Sequence, residues 1–256
     1  MMYEVLGPLR VLDGEDSFTI SARKVQTVLA ALVVRCDQVV APGQLITEIW
    51  GDVPPRRATA GLHVYISQVR KLLNRPGRTA NPLLTRVSGY QLRTDDDEID
   101  FRLFLGAVER GRALMRERRD EEAMACLEGA LDLWRGPVLG DLRSGPIIEG
   151  FVTWMTELRL ECLELLADVH LRLGRHREVI GRLQLLVGEN PLCEAYYRQL
   201  MLALYRSGRQ AEALGVYQSA RSLLMEELGL EPCRALRDLQ QAILTADEGL
   251  DLRAAS

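Results

Sequence analysis

Nothing in these 256 residues sets a phosphate, a metal or a nucleophile in a recognisable frame. There is no G-x-x-x-x-G-K-[ST] loop, no G-x-G-x-x-G after a strand and no G-x-S-x-G elbow, so the usual nucleotide and acyl-transfer chemistries have no home here. The three histidines, His63, His170 and His176, are not paired at metal-ligand spacing. The five cysteines lie far apart without a C-x-x-C, which argues against a zinc site or a disulfide framework. Cys126 and Cys162 fall in apolar helical patterns and are expected as small core residues. Long apolar runs are missing too: none reaches the ~18–20 residues of a membrane-spanning helix. The opening MMYEVLGPLRVLDGEDSF has no basic head before an apolar run, so a signal peptide is not expected and a cytoplasmic protein is. Carboxylates abound in the C-terminal half, but on amphipathic helices they are the expected solvent face. The reading is of a protein without catalytic site, metal or cofactor.

One further absence is informative. From Arg56 to Thr94 there is no Asp or Glu, while eight basic residues (Arg56, Arg57, Arg70, Lys71, Arg75, Arg78, Arg86 and Arg93) fall there. Charged surfaces normally mix signs. The formal net charge of −4 divides unevenly: residues 1–95 hold 12 Lys/Arg against 8 Asp/Glu, net +4, and residues 96–256 hold 20 against 28, net −8. Such asymmetry points to a polyanionic partner for the first part.

What is present reads as two modules, and 47% apolar residues suffice for real cores. Tyr3, Val5 and Leu6, then Leu9, Val11 and Leu12, then Phe18 and Ile20, separated by Gly7-Pro8 and Asp13-Gly14, predict short antiparallel strands. Ser21 is placed to cap a helix carrying Val25, Val28, Leu29, Leu32 and Val33. Pro42 suits the first turn of a short helix with Leu45, Ile46, Ile49 and Trp50, stopped by Gly51 and Pro54-Pro55. A third helix is expected over 58–73, with Leu62, Ile66, Val69, Leu72 and Leu73 on one stripe and Ala60, Val64, Ser67, Gln68 and Lys71 opposite. Asn74, Pro76 and Gly77 end it. Leu83 to Leu92 predicts a hairpin turning at Ser88-Gly89, with Arg86 just before the turn. That order is a winged helix-turn-helix over residues 1–94, an α+β domain. The acidic run Asp95–Glu98 is taken as the junction.

From Ile99 the pattern is helical. Gly174-Arg175, Glu178, Val179, Ile180 and Leu183 recur 34 positions later as Gly208-Arg209, Glu212, Ala213, Leu214 and Tyr217, and Arg119–Ala123 with Leu127 and Ala130 repeats the second half. A 34-residue period is that of tetratricopeptide repeats, so an all-α repeat domain is expected over 99–247.

A winged helix lays its third helix in the major groove, where every base pair shows a distinct edge. On that geometry Gln68 is the candidate for a two-point contact to adenine and Val64 for a thymine methyl. Thr59, Tyr65, Ser67, Arg70 and Lys71 are candidates for phosphate and backbone contacts. His63 lies beside the face, either at a phosphate or idle on the surface. Arg86 is the candidate for the minor groove.

TAGLHVYISQVRKLL followed by LLTRVSGYQL resembles OmpR-type winged helices. LDLWRGPVLGDL, LRLGRHREVIGRLQLLVGENPLCE and QLMLALYRSGRQAEALGVYQSARSLLMEELGLEP resemble the bacterial transcriptional activation domain. Together, over about residues 2–246, the chain resembles the AfsR/DnrI/RedD family, the Streptomyces antibiotic regulatory proteins. The resemblance implies an activator of antibiotic or other secondary-metabolite genes. It implies binding to direct repeats near promoters as a homodimer on DNA, and recruitment of RNA polymerase holoenzyme through its sigma factor. It also implies the small two-domain form, without receiver or ATPase module. Gln68 stands where many OmpR-type proteins carry a base-reading arginine, so the docking mode carries over and the base preference does not. The competing reading is a protein-interaction scaffold whose winged domain pairs only with protein. The acid-free stretch discriminates, since phosphate neutralisation needs it and protein docking does not. A third reading, an enzyme, finds no site.

Overall fold

The computed structural model describes residues 1–14, 16–18, 20–74, 81–95, 97–142 and 145–250. Arg75, Pro76, Gly77, Arg78 and Asp96, used in the charge and turn readings above, lie outside the described residues. By internal contacts the chain forms two compact units, one of residues 1–107 with 129–159 and one of 108–128 with 160–256.

The first unit opens with β1 (Met2–Glu4), β2 (Arg10–Asp13) and β3 (Asp16–Phe18), an antiparallel meander with Tyr3 opposite Val11 and Val11 opposite Phe18. Helix α1 (Arg23–Val34) follows, its N-cap falling on Ala22 without a side-chain hydrogen bond, so the cap expected from Ser21 is not made. A two-residue strand β4 (Val39–Val40), which periodicity is too short to show, precedes α2 (Pro42–Trp50). Gln44 Oε1 accepts from the Ala41 amide at 3.0 Å and so satisfies one of the donors exposed where α2 begins. Then come α3 (Ala58–Leu73), β5 (Leu83–Arg86) and β6 (Gly89–Leu92). β6 pairs with both β4 and β5 in a three-stranded wing. Arg86 pairs with Gly89, so the two residues outside the ladder are Val87 and Ser88, one step earlier than the expected turn.

The acidic run does not stand clear of the fold. Glu98–Ile99 is a strand, β7, which pairs in parallel with β1 and makes the first sheet four-stranded, in the order β3-β2-β1-β7. Directly after it α4 (Asp100–Arg116) begins. Asp100 is 1% exposed, and its side chain accepts backbone N–H bonds from Val5 and Leu6 at 2.8 Å and from Phe101 at 2.8 Å. Burial raises its pKa, and those three amides and the Arg135 charge act the other way. Arg135 stands 3.8 Å from Asp100 and 3.4 Å from Glu4, and its own amide donates to the Leu6 carbonyl. The LDLWRGPVLGDL segment thereby closes over the end of β1, with Leu139 N–H bonded to Val5 O.

A second buried carboxylate does the same for α6 (Pro146–Arg172). Glu48 of α2 is fully buried and accepts the Ile147 amide at 2.6 Å and the Ile148 amide at 3.4 Å, two of the free donors at the start of that helix. Desolvation raises its pKa and the two amides oppose the shift. Both acids depart from the rule that helical carboxylates face water.

The second unit is helical: the later part of α4, the earlier part of α5 (Asp120–Asp132), the end of α6, then α7 (His176–Glu189), α8 (Glu194–Arg206), α9 (Gln210–Leu228) and α10 (Arg234–Leu244). Its core joins Val179, Leu183, Tyr196, Leu200, Leu204 and Tyr217 from successive helices, as stacked repeats require. The repeat is visible in the turns. Gly174 (φ 75°) and Gly208 (φ 78°) take the same left-handed conformation, and the next residue's amide reaches back five positions, Arg175 to His170 and Arg209 to Leu204. Arg118 (φ 62°) holds the equivalent place before Arg119, whose amide bonds Leu114 O. Of the two cysteines expected in the core, Cys162 is buried with its thiol pKa pushed up to about 12 by desolvation, while Cys126 is only half-buried.

A left-handed arginine is strained where glycine is not. Arg118→Gly is therefore expected to raise unfolding stability by about 0.5–1 kcal/mol in urea titration, against the usual loss for glycine substitution. A loss would show that the side chain contributes more than the strain costs.

Candidate nucleic-acid interface

The 3.6-residue period of α3 divides its surface cleanly. Ala58, Leu62, Ile66, Val69 and Leu73 are buried against the winged domain. Thr59, Ala60, His63, Val64, Ser67, Gln68 and Lys71 are exposed and share the opposite side, Val64 at 53% exposure. Tyr65 and Arg70 sit half-buried on the flanks. The Tyr65 ring lies 5.9 Å from that of Trp50, on which the Lys24 ammonium rests at 5.1 Å. Trp50 in turn lies over Gly61, where a methyl group would come within 3.1 Å of the ring. Tyr65 is thus held against Trp50 by the α2–α3 packing.

Electrostatically the helix is unbalanced in one direction. No acid occupies its first turn, Arg56 and the N-cap residue Arg57 are exposed just ahead of it, and Arg70 and Lys71 occupy its last turn. The helix start already carries the positive end of the backbone dipole, so Arg56 and Arg57 add to a field that suits an anion.

The flanking arginines are not free rods. Arg70 donates from Nε to the Leu83 carbonyl at 3.1 Å and from Nη2 to Thr85 Oγ1 at 2.7 Å, which fastens α3 to β5. Asn81 completes the joint, donating to the Arg70 carbonyl at 2.8 Å and accepting the Leu83 amide at 3.0 Å. Among the described residues, three of the five guanidinium donors remain for an outside partner. Arg86, exposed at the wing tip, donates from Nε to Gln91 Oε1 at 2.7 Å, and Gln91 donates to the Asp37 carbonyl at 2.8 Å. Asp37 (φ 63°) anchors this row from beneath. Its carboxylate accepts the Thr94 amide at 3.0 Å, the Thr94 hydroxyl at 2.7 Å and Arg102 Nη2 at 2.8 Å. Desolvation works against the charge of Asp37, but the Thr94 and Arg102 hydrogen bonds outweigh it and hold its pKa below the usual carboxylate value. The wing can lie this close because Gly89 has no side chain: a Cβ there would run into the Val40 carbonyl oxygen.

The structure brings Thr59, His63, Val64, Ser67, Gln68 and Lys71 onto one exposed face, with Tyr65 and Arg70 at its edges and Arg86 on the adjoining wing. Residue types alone do not disclose the supporting set of Asn81, Thr85, Gln91 and Asp37. The one local hint is Asp37, since Asp tolerates positive φ better than most residues.

The family model described as bacterial transcriptional activator domain matches residues 99–244, and that described as transcriptional regulatory protein, C terminal, matches residues 19–100. Regulatory protein DnrI of Streptomyces peucetius is 37% identical over 257 residues, covering 98% of this chain and 94% of that protein. Regulatory protein AfsR of Streptomyces griseus is 35% identical over 250 residues, and there the match spans 98% of this chain but 25% of the relative. Among solved structures, Mycobacterium tuberculosis EmbR, in complex with a low-affinity phosphopeptide, superposes with a TM-score of 0.89 at 34% identity, over 95% of this chain and 65% of that one.

If Arg70 works as a tether, Arg70→Ala should lower stability by about 1 kcal/mol without any DNA present, and amide exchange at Leu83 and Thr85 should quicken. Unchanged stability and exchange would leave the arginine with no internal role.

Proposed function

The chain belongs to the AfsR/DnrI/RedD family of bacterial transcriptional regulators, in which an OmpR-type winged helix precedes a bacterial transcriptional activator domain, and from that premise we propose that it activates antibiotic or other secondary-metabolite genes by binding promoter DNA. Residues 1–94 grip the duplex and residues 99–247 meet protein partners. α3 lies in the major groove, Gln68 reads adenine and Val64 a thymine methyl, while Arg86 enters the adjoining minor groove. Thr59, His63, Ser67 and Lys71, with Tyr65 and the uncommitted donors of Arg70, hold phosphates. Two molecules bind direct repeats near the promoter, and the helical domain recruits RNA polymerase holoenzyme through its sigma factor.

The observation that carries this reading is the exposed, acid-free face of α3 beside an arginine-tipped wing. Contacts to phosphate dominate affinity, and a carboxylate on the face would repel them. Four members of the face, Thr59, Ala60, Val64 and Ser67, are small enough to let the backbone approach base edges. EmbR and AfsR extend beyond the matched region, so whatever their remaining parts add belongs to them.

A mobility-shift salt series on upstream DNA tests the reading, since specific binding must weaken steeply with salt. Gln68→Ala is expected to cost about 1–3 kcal/mol at the cognate site and to relax base preference there, whereas Lys71→Ala should weaken all DNA alike and lower the salt slope by about one. No shift even in dilute buffer sinks the proposal in favour of a protein scaffold, and unaltered preference in Gln68→Ala sinks the face assignment.

A further inference from the structure

Beside the wing's anchor the first compact unit contains a cleft of about 370 Å³ to which no role has been given above. Its walls include Arg35 and Gln38 from the end of α1 and the turn after it, Phe101 and Arg102 from the start of α4, and Phe151 and Trp154 from α6. Three aromatic rings line up edge to face, Phe101 to Phe151 at 5.1 Å and Phe151 to Trp154 at 6.0 Å. The last ring in the row, Trp154, is 48% exposed, an unusual place for a large aromatic unless something covers it. Among the described residues the guanidinium of Arg35 has no ion-pair partner, and Arg102 keeps donors beyond those it gives to Thr94 and Asp37. Among the described residues no carboxylate lines the cleft.

We propose that this cleft is an effector site for a small planar aromatic acid. The chemistry of the walls selects that class. Trp154, backed by the buried rings of Phe101 and Phe151, offers an aromatic surface for a flat π system, and the guanidiniums of Arg35 and Arg102 are both among the lining groups, which suits a carboxylate. The volume falls in the range of small-molecule sites and exceeds the roughly 150 Å³ that encloses one benzene, so two or three fused rings fit. A purely charged ligand such as inorganic phosphate would leave the aromatic wall wet, and an uncharged hydrocarbon would leave the Arg35 guanidinium and the spare donors of Arg102 unused.

The cleft is wired to the wing. Arg102 bonds Asp37, the Asp37 carbonyl accepts from Gln91, and Gln91 accepts from Arg86, three hydrogen bonds of 2.8, 2.8 and 2.7 Å in series. An acid in the cleft shares Arg102 with Asp37 and loosens the anchor under the wing, so occupancy lowers DNA affinity. This link rests on the DNA-binding reading; occupancy of the cleft does not.

The test uses the full chain and 2-naphthoate as probe, with cyclohexanecarboxylate as an acid lacking the aromatic plane. Calorimetry should show one saturable site for 2-naphthoate, with cyclohexanecarboxylate weaker by about tenfold or more, the worth of one good stacking or charged contact. Trp154→Ala and, independently, Arg35→Gln should each weaken 2-naphthoate by a similar factor while circular dichroism and thermal midpoint stay as in the parent; both residues are exposed, so neither change opens the core. Absence of saturable binding into the millimolar range, or undiminished binding in both variants, overturns the site. In the DNA arm, saturating 2-naphthoate should weaken the mobility shift about fivefold or more, and DNA should weaken the probe by the same factor, as linkage demands. Equal DNA affinity with and without probe overturns the wiring. Loss of the shift in the absence of probe is a separate outcome, charged to the DNA-binding reading alone.

Discussion

Burying a carboxylate is costly unless its oxygens are fully engaged, and the first compact unit is organised around one that is. Asp100 is the first residue of α4, yet its side chain turns back and takes the amides of Val5 and Leu6 as well as that of Phe101. Those amides lie past the end of β1, where no strand partner remains for them. The carboxylate thus terminates the sheet and starts the helix with the same two atoms. Arg135 stands close enough to offset its charge and ties in the segment that covers β1. Truncating such an acceptor orphans several buried donors at about 1–3 kcal/mol each. Glu48 follows the same logic at the start of α6, from a residue in the middle of α2. Two buried acids therefore decide where two helices begin.

The α3 face obeys the opposite constraint. There the charge has to stay available to solvent, and the structure limits how far it can move. Arg70 and Arg86 each give part of the guanidinium fork to the protein, to β5 and to Gln91, and keep the rest. Long cations ordered in advance lose less side-chain entropy on meeting a polyanion. Arg86 also brings a dependence on Asp37, since Gln91 is held by the Asp37 carbonyl. A wing whose tip is positioned through a hydrogen-bonded row can respond to whatever disturbs the far end of that row, and the aromatic cleft adjoins that end.

The helical unit shows what its repeats hold in common. Tyr196, Tyr197, Leu200 and Leu204 on α8 contribute to one core with Val179, Leu183 and Leu186 on α7 and Ala213, Tyr217 and Ala220 on α9. What is retained is the turn geometry: a left-handed residue, then an arginine whose amide closes on the preceding helix. In two of the three copies that arginine also pairs with the glutamate three positions on, Arg119 with Glu122 and Arg209 with Glu212. Exposed pairs of this kind add little stability, so the shared conformation rather than the ion pair marks the repeat.

The winged order, the extent of α3, its buried and exposed sides and the 34-residue repeat were all legible in the sequence, because each is a local matter of spacing. Apolar residues every three or four positions bury one side of a helix whatever surrounds it, and a stretch without acids lacks them in any fold. The strands β4 and β7 were not legible, being two residues long and defined only by their partners. Nor were the roles of Glu48 and Asp100. In sequence both are ordinary helical acids of the sort that face water, and their acceptor roles arise from amides 99 and 95 positions away. The same holds for the tethering of Arg70 by Thr85 and for the cleft beside Arg102, whose walls come from three separated segments. Periodicity carries the information that one side of an element is covered. Which distant group covers it, and with what geometry, is settled only when the chain closes on itself and buried donors must find acceptors.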